Sequence, residues 1–394
     1  MKPAGVCCER CPGATLANTR HIARRRLLKA ALFQPQQASL GLVASGRGAG
    51  TPQDAGYRSG SGPRGTGPSG SADAPGQPRT AQNGQAADGR AFSPADLTPP
   101  PANVYRAVTG QIIDVSPQVI AIGDEGGERR FALAASATAW RGSPLDPASL
   151  SRGDEAIIRL LPSRPGVADK IWANIGRVTG IIVECDSASV LVNEGATKRV
   201  QKVVVPRNAS RRVQVKLPNM RPGYLIDIIG IRHPGYLEGL IPVNPQPPYH
   251  SDRVVPDGTA GGRLPESITG SVTWHDSADE PYGVLGVSYP AIDPAADCAE
   301  DAVSRFPPGH APAFRQLPYL AVGTALNVRN ECTGIAWTLP VTGCAPMARL
   351  FNDRCVACAA SPRGRVADLT VASFVALGGD LEDGCFGATL TIGR

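Results

Sequence analysis

Two stretches of the chain alternate apolar and polar residues in the same phase. VTGQIIDVSPQVIAI begins at Val108 and VTGIIVECDSASVLV at Val178, an offset of 178 − 108 = 70 residues. The echo continues downstream, where LSRGDEAIIRLLPSRPG is answered by NMRPGYLIDIIGIRHPG, and Gly153 and Gly223 keep the offset. Short alternating runs broken by Gly, Pro, Asn and Asp are the pattern of strands joined by turns. About five strands per unit imply a small closed barrel of the oligonucleotide/oligosaccharide-binding type. The pattern predicts two such barrels in tandem, over 103–174 and 175–245. Cys185 is expected to point into the second core as a small apolar side chain.

A different pattern closes the chain. In RVADLTVASFVALGGDL, Arg365 to Ala367 form a short strand, and Leu369, Ala372, Phe374, Val375 and Leu377 give the next segment one apolar helical face. Gly378-Gly379 ends that helix. Asp368 stands between strand and helix and is a candidate N-cap. If Thr370 caps instead, Asp368 is free to face a groove.

This last region resembles the double-psi β-barrels of the rare lipoprotein A and expansin type. GSVTWHD is similar to the family's opening strand, LPYLAVGTALNVRNECTG to its Leu-Pro, Gly-Thr and Val-x-Val-x-Asn strand, and FGATLTI to its closing strand. GRVADLTVASFVALGGDL is similar to its Arg-Val-Ile-Asp-Leu-Ser turn, with Asp368 at the family's functional Asp. The resemblance covers 267–394 and implies a double-psi barrel whose groove holds glycan. Thr273 and Trp274 would line that groove with Asp368, Trp274 stacking on a sugar ring and Asp368 accepting hydrogen bonds from sugar hydroxyls. If the chain is an enzyme, Asp368 is its catalytic residue. Two positions depart from the glycan-cleaving members. Phe314 and its neighbours stand where those carry a His, and Gly343 replaces the second Asp, in LPVTGCAP. Glycosidic cleavage by acid catalysis uses two carboxyl groups in different protonation states. His310 and Asp353 are the nearby substitutes.

The N-terminal quarter is not patterned for a core. ARRRLLKAAL resembles a twin-arginine export signal, with Arg24 and Arg25 as the pair and Val43-Ala44-Ser45 as the cleavage site, so that 1–45 is a signal peptide. Residues 46–102 are Gly, Ser, Pro, Ala and Gln with almost no large apolar side chain, the composition of a disordered tether. Of the chain's 45 Gly and 37 Pro, 12 and 9 fall there, and a Pro-rich joint spans 246–266. Export would explain the cysteines. Cys298, Cys332, Cys344, Cys355, Cys358 and Cys385 crowd the last hundred residues, and an even cluster in an exported chain reads as a disulfide framework stapling the third barrel. Zinc at Cys355 and Cys358 with Cys332 and Cys344 is the alternative. Cys7, Cys8 and Cys11 would leave with the signal.

The net charge of +6 does not argue for nucleic acid, since no dense basic face accompanies it. One basic run exists: Lys198, Arg199, Lys202, Arg207, Arg211, Arg212 and Lys216, without an acid, expected on a hairpin where part of it would meet an anionic wall polymer. No apolar run reaches the roughly 18 residues of a membrane span. The expectation is an exported all-β protein, periplasmic, wall-associated or extracellular. It would bind peptidoglycan or a related polysaccharide without turning it over, and the sequence calls for no metal or cofactor. The alternatives are a lytic transglycosylase or expansin-like loosening dependent on Asp368, and a structural scaffold for another envelope protein.

Overall fold

The structure is a computed structural model that describes residues 100–124, 126–195, 199–247, 250, 267–276, 283–292, 317–345, 347–348, 351 and 364–392. The expected signal peptide and nearly all of the tether lie outside these residues. Three small closed β-barrels follow one another.

Barrel 1 contains β1 (Arg106–Val115), β2 (Val119–Asp124), β3 (Gly127–Trp140), the short β4 (Pro144–Leu145), β5 (Glu155–Leu161) and β6 (Arg164–Ala173). The wall closes in the order β1-β2-β3-β6-β5, with β3 and β6 parallel and the other contacts in that ring antiparallel. Barrel 2 repeats this order with β7 (Ile175–Cys185), β8 (Ser189–Asn193), β9 (Val200–Val204), β10 (Leu225–His233) and β11 (Tyr236–Pro242), the parallel pair being β9–β11. The seventy-residue echo extends to single hydrogen bonds. Gly153 N–H donates to Ile112 O and Gly223 N–H to Ile182 O, both at 2.8 Å, and β1 and β7 both break register just after those isoleucines. Gly153 and Gly223 hold φ of 86° and 88°, in the left-handed region where a Cβ would be strained.

The basic run is not a hairpin. β9 ends at Val204, and Pro206 opens helix α1 (Arg207–Lys216) at a position where its missing N–H costs nothing. Ala209 and Val213 face the barrel at helical spacing. Cys185 also departs from expectation: the thiol is exposed, because β7 breaks register between Ile182 and Glu184 and its end runs out to the hairpin tip.

Barrel 3 closes in the order β12-β16-β13-β15-β14-β17. Its strands are β12 (Ile268–Trp274), β13 (Val287–Tyr289), β14 (Ala325–Asn330), β15 (Ala336–Cys344), β16 (Arg365–Leu369) and β17 (Cys385–Ile392), and the helix α2 (Val371–Ala376) follows β16. Two strand pairs, β12–β16 and β13–β15, run parallel.

The barrels are fused rather than strung. Trp140, Ile157 and Trp172 of barrel 1, and Ile175, Ile229 and Val243 of barrel 2, belong to the same buried cluster as the interior of barrel 3. Polar contacts reinforce this where barrel 1 meets the segment after α2. Arg159 Nη1 donates to Asp380 at 2.8 Å, and Trp172 Nε1 and Lys170 Nζ both reach Glu382 at 2.5 Å. Among the described residues no helix is long and apolar enough to cross a membrane.

Candidate functional site

Asp368 sits on β16 between two partner strands. Register places Thr273 of β12 beside it on one side and Ser288 of β13 on the other. Lateral neighbours in a sheet project to the same face, so Thr273, Asp368 and Ser288 form one polar row across the barrel wall. Thr370, not Asp368, caps α2: its Oγ1 accepts from Ser373 N–H. Asp368 is therefore released from capping, but it does not open onto solvent. Its Oδ1 accepts from the Thr273 hydroxyl and from Arg365, whose Nε lies at 2.7 Å and Nη2 at 2.5 Å.

What covers the row is barrel 2. Arg365 Nη1 reaches across to Asp227 Oδ2 at 3.2 Å. Asp227 is in turn held by Arg177 in a two-pronged pair, Nε to Oδ1 at 2.9 Å and Nη2 to Oδ2 at 2.8 Å. Thr179 and Asn244 complete its shell at 3.0 and 2.6 Å. Arg177 Nη1 returns to barrel 3 through the carbonyls of Trp274 and Gly384, each at 2.8 Å. The chain of charges Asp368–Arg365–Asp227–Arg177 is closed to water: the four side chains are 6, 2, 0 and 1% exposed. Burial alone would raise the Asp227 carboxyl, but Arg177 and Arg365 outweigh it and hold it below the usual carboxylate range. Burial pulls the Arg177 guanidinium below its ordinary value against the attraction of Asp227.

Trp274 is enclosed in this arrangement. It is 1% exposed, its Nε1 donates to Leu381 O at 2.9 Å, and the Arg177 guanidinium stands 5.6 Å from its ring centre. Thr273 is fully buried as well. Gly343 is beside Ser288 on β15, so no acid enters the row from that strand. His310, Phe314 and Asp353 lie outside the described residues, as do Cys298, Cys355, Cys358 and Lys198.

The basic residues divide. Arg212 Nη2 donates to Leu240 O at 2.7 Å, and Lys216 Nζ to Pro242 O and Val243 O at 3.3 and 3.2 Å, so both brace α1 on the barrel. Burial lowers the Lys216 ammonium from its ordinary value. Arg199 pairs with Glu194 at 3.7 Å. Lys202, Arg207 and Arg211 remain on the exposed surface.

Sequence reasoning passed over Arg177, Asp227 and Arg365, although each carried a signal. Asp227 is the one charge in LIDIIGI, and Arg177 the one charge in IGRVTG. A charge inside a strand otherwise apolar is either exposed or paired. The chain matches no protein-family model and no curated protein.

Proposed function

We propose that the chain is an exported protein of the bacterial envelope that binds wall glycan and does not cleave it. The observation behind the absence of turnover is that Asp368 is committed to Arg365 and Thr273. Cleavage needs one carboxyl kept protonated beside a second group that stays ionised. The acid joined to Asp368 through Arg365 is Asp227, and two arginines keep it charged. Expansin-like loosening would need Asp368 to face an open groove, and barrel 2 stands there.

The binding half rests on the resemblance. A closed six-stranded barrel with two parallel pairs is compatible with a double-psi barrel. The shared five-strand order of barrels 1 and 2 suits the oligonucleotide/oligosaccharide-binding type. The accessible member of the polar row is Ser288, which is half-buried. Anionic wall polymer would meet Lys202, Arg207 and Arg211. The burial of Trp274 favours the second reading, a scaffold that presents its fused barrels to another envelope protein.

Sedimentation with purified peptidoglycan separates these readings. The wild-type chain is expected to co-sediment and to release no soluble muropeptides. Asp368→Asn is expected to lower stability by about 1–3 kcal/mol, since Arg365 loses a charged partner, with the bound fraction of folded protein unchanged. A chain that stays in the supernatant supports the scaffold. Muropeptide release abolished by Asp368→Asn would make the protein an enzyme.

Export and the disulfide staple belong to the same proposal. A staple drawing on Cys332 and Cys385 would suit an oxidising compartment. Lys replacements at Arg24 and Arg25 are expected to hold the precursor in the cytoplasm with its C-terminal cysteines open to alkylation. In the exported form those C-terminal cysteines should resist alkylation until reduced, with Cys185 alkylated in both forms. Unchanged secretion of the variant would exclude the twin-arginine route.

A further inference from the structure

Strand β7 outruns β8. Pairing with β10 covers Ile175 to Ile181, whereas pairing with β8 begins only at Ile181. Ile182 exchanges hydrogen bonds with the Gly223–Tyr224 backbone next to β10. Alternation then turns the N–H groups of Thr179 and Arg177 to the side that β8 leaves uncovered. Two carboxylates take the place of the missing strand. Glu194, just past the end of β8, is brought to this edge by the pairing of its neighbour Asn193 with Ile181. Asp276, just past the end of β12, accepts from Arg177 N–H at 3.1 Å. An acid of barrel 2 and an acid of barrel 3 therefore meet the same edge of β7. Both are nearly enclosed, with 12 and 5% of the side chain exposed.

Their surroundings are unequal. Asp276 is held by Arg232 Nη2 at 2.5 Å, and Arg232 also reaches Glu155 of barrel 1 at 3.1 Å. Glu194 has Arg199 at the looser 3.7 Å. We infer that this edge is a proton-controlled latch: Glu194 in its neutral form seals the junction of barrels 2 and 3, and its ionisation sets two like charges against each other across the contact.

The electrostatics agree with the geometry. Burial pushes the Glu194 carboxyl up from 4.5 to about 7, with Asp276 adding to the rise while Arg199 and the Thr179 N–H oppose it. A carboxyl raised in the folded state leaves the fold most stable at low pH. That contribution is complete below about 4.5, declines as pH rises, and is gone above about 7. Among the described residues, the charged groups around the pair are Arg199, Arg232 and, through Arg232, Glu155; His275 adjoins Asp276 in the chain. The latch does not depend on what the protein binds.

Amide hydrogen exchange of the full chain tests it, read at Arg177 and Thr179 as protection relative to the free-peptide rate at each pH. In the wild type, protection is expected to fall roughly tenfold per pH unit between about pH 4.5 and 7, on the order of 10²-fold in all. Glu194→Gln keeps the shape of the neutral acid and cannot ionise, so its protection should stay level over the same range. If the variant shows the wild-type decline, another group such as His275 governs the junction and the latch is refuted. A wild type whose protection at these amides is independent of pH refutes it too. So does a decline spread evenly over barrel 1, since the junction would not then be where opening begins.

Discussion

Asp227→Ala is expected to destabilise the protein by about 3–5 kcal/mol, the range for removing one partner of a buried ion pair. Two guanidinium groups share this carboxylate, Arg177 with two hydrogen bonds and Arg365 with one ion pair. Both arginines are essentially without contact with water. Taking the anion away leaves two guanidinium groups facing each other, Arg177 without a carboxylate and Arg365 with Asp368 alone. Denaturant unfolding with the wild-type slope would measure the loss. Two comparisons tell charge from shape. Asp227→Asn keeps the volume and some of the hydrogen bonds, so a result close to that of Ala identifies charge as the cause. Replacing Asp227, Arg177, Arg365 and Asp368 together by apolar residues of similar size should recover much of the loss, because no member of the network is then left buried without its partner. An Asp227→Ala variant within 1 kcal/mol of wild type would mean that water enters this junction freely.

The polar network also shows how far a one-dimensional pattern reaches. Alternation and the seventy-residue echo carry the barrels, because strand phase and turn glycines are local properties: Gly153 and Gly223 serve the same turn with the same backbone angle. The basic run went wrong for a local reason as well. Arg207 to Lys216 has no strong strand alternation, and Pro206 starts a helix as readily as it ends a strand. Cys185 went wrong because a β-bulge resets which face a residue occupies, and nothing in the sequence marks the break after Ile182. The site was legible only as a set of residue types. That Thr370 is able to cap α2 could be read from its spacing to Ser373. That Arg365, three residues before Asp368, would claim it and pass the charge on to Asp227, 138 residues earlier, depends on how the barrels dock. Docking is set by long-range contacts that leave only a faint trace in sequence, namely a single charge in an apolar strand.

That difference decides how a common mutational test will read. Trp274→Ala, the usual probe of a sugar-stacking platform, is expected to cost about 3–5 kcal/mol of stability, the range for emptying a buried aromatic site. The indole is 1% exposed, its N–H is bonded to Leu381 O, and a guanidinium lies over its ring. Leu381 itself is fully buried in the turn that carries Asp380 and Glu382 to barrel 1. The cavity would therefore open at the meeting point of all three barrels, and a variant that fails to bind glycan would be failing to fold. Trp274→Phe separates the two roles. Phenylalanine keeps most of the packing and the ring face, and loses the hydrogen bond to Leu381 O, so a cost of about 1–3 kcal/mol follows from leaving a buried acceptor unpaired. A structural tryptophan gives that graded order in thermal unfolding, Ala far worse than Phe, with glycan retention tracking the folded fraction in both. A tryptophan that stacks on sugar gives the opposite result: Ala near wild type in stability and without binding, which would require that barrel 2 swing away from the Thr273–Asp368 row before glycan arrives.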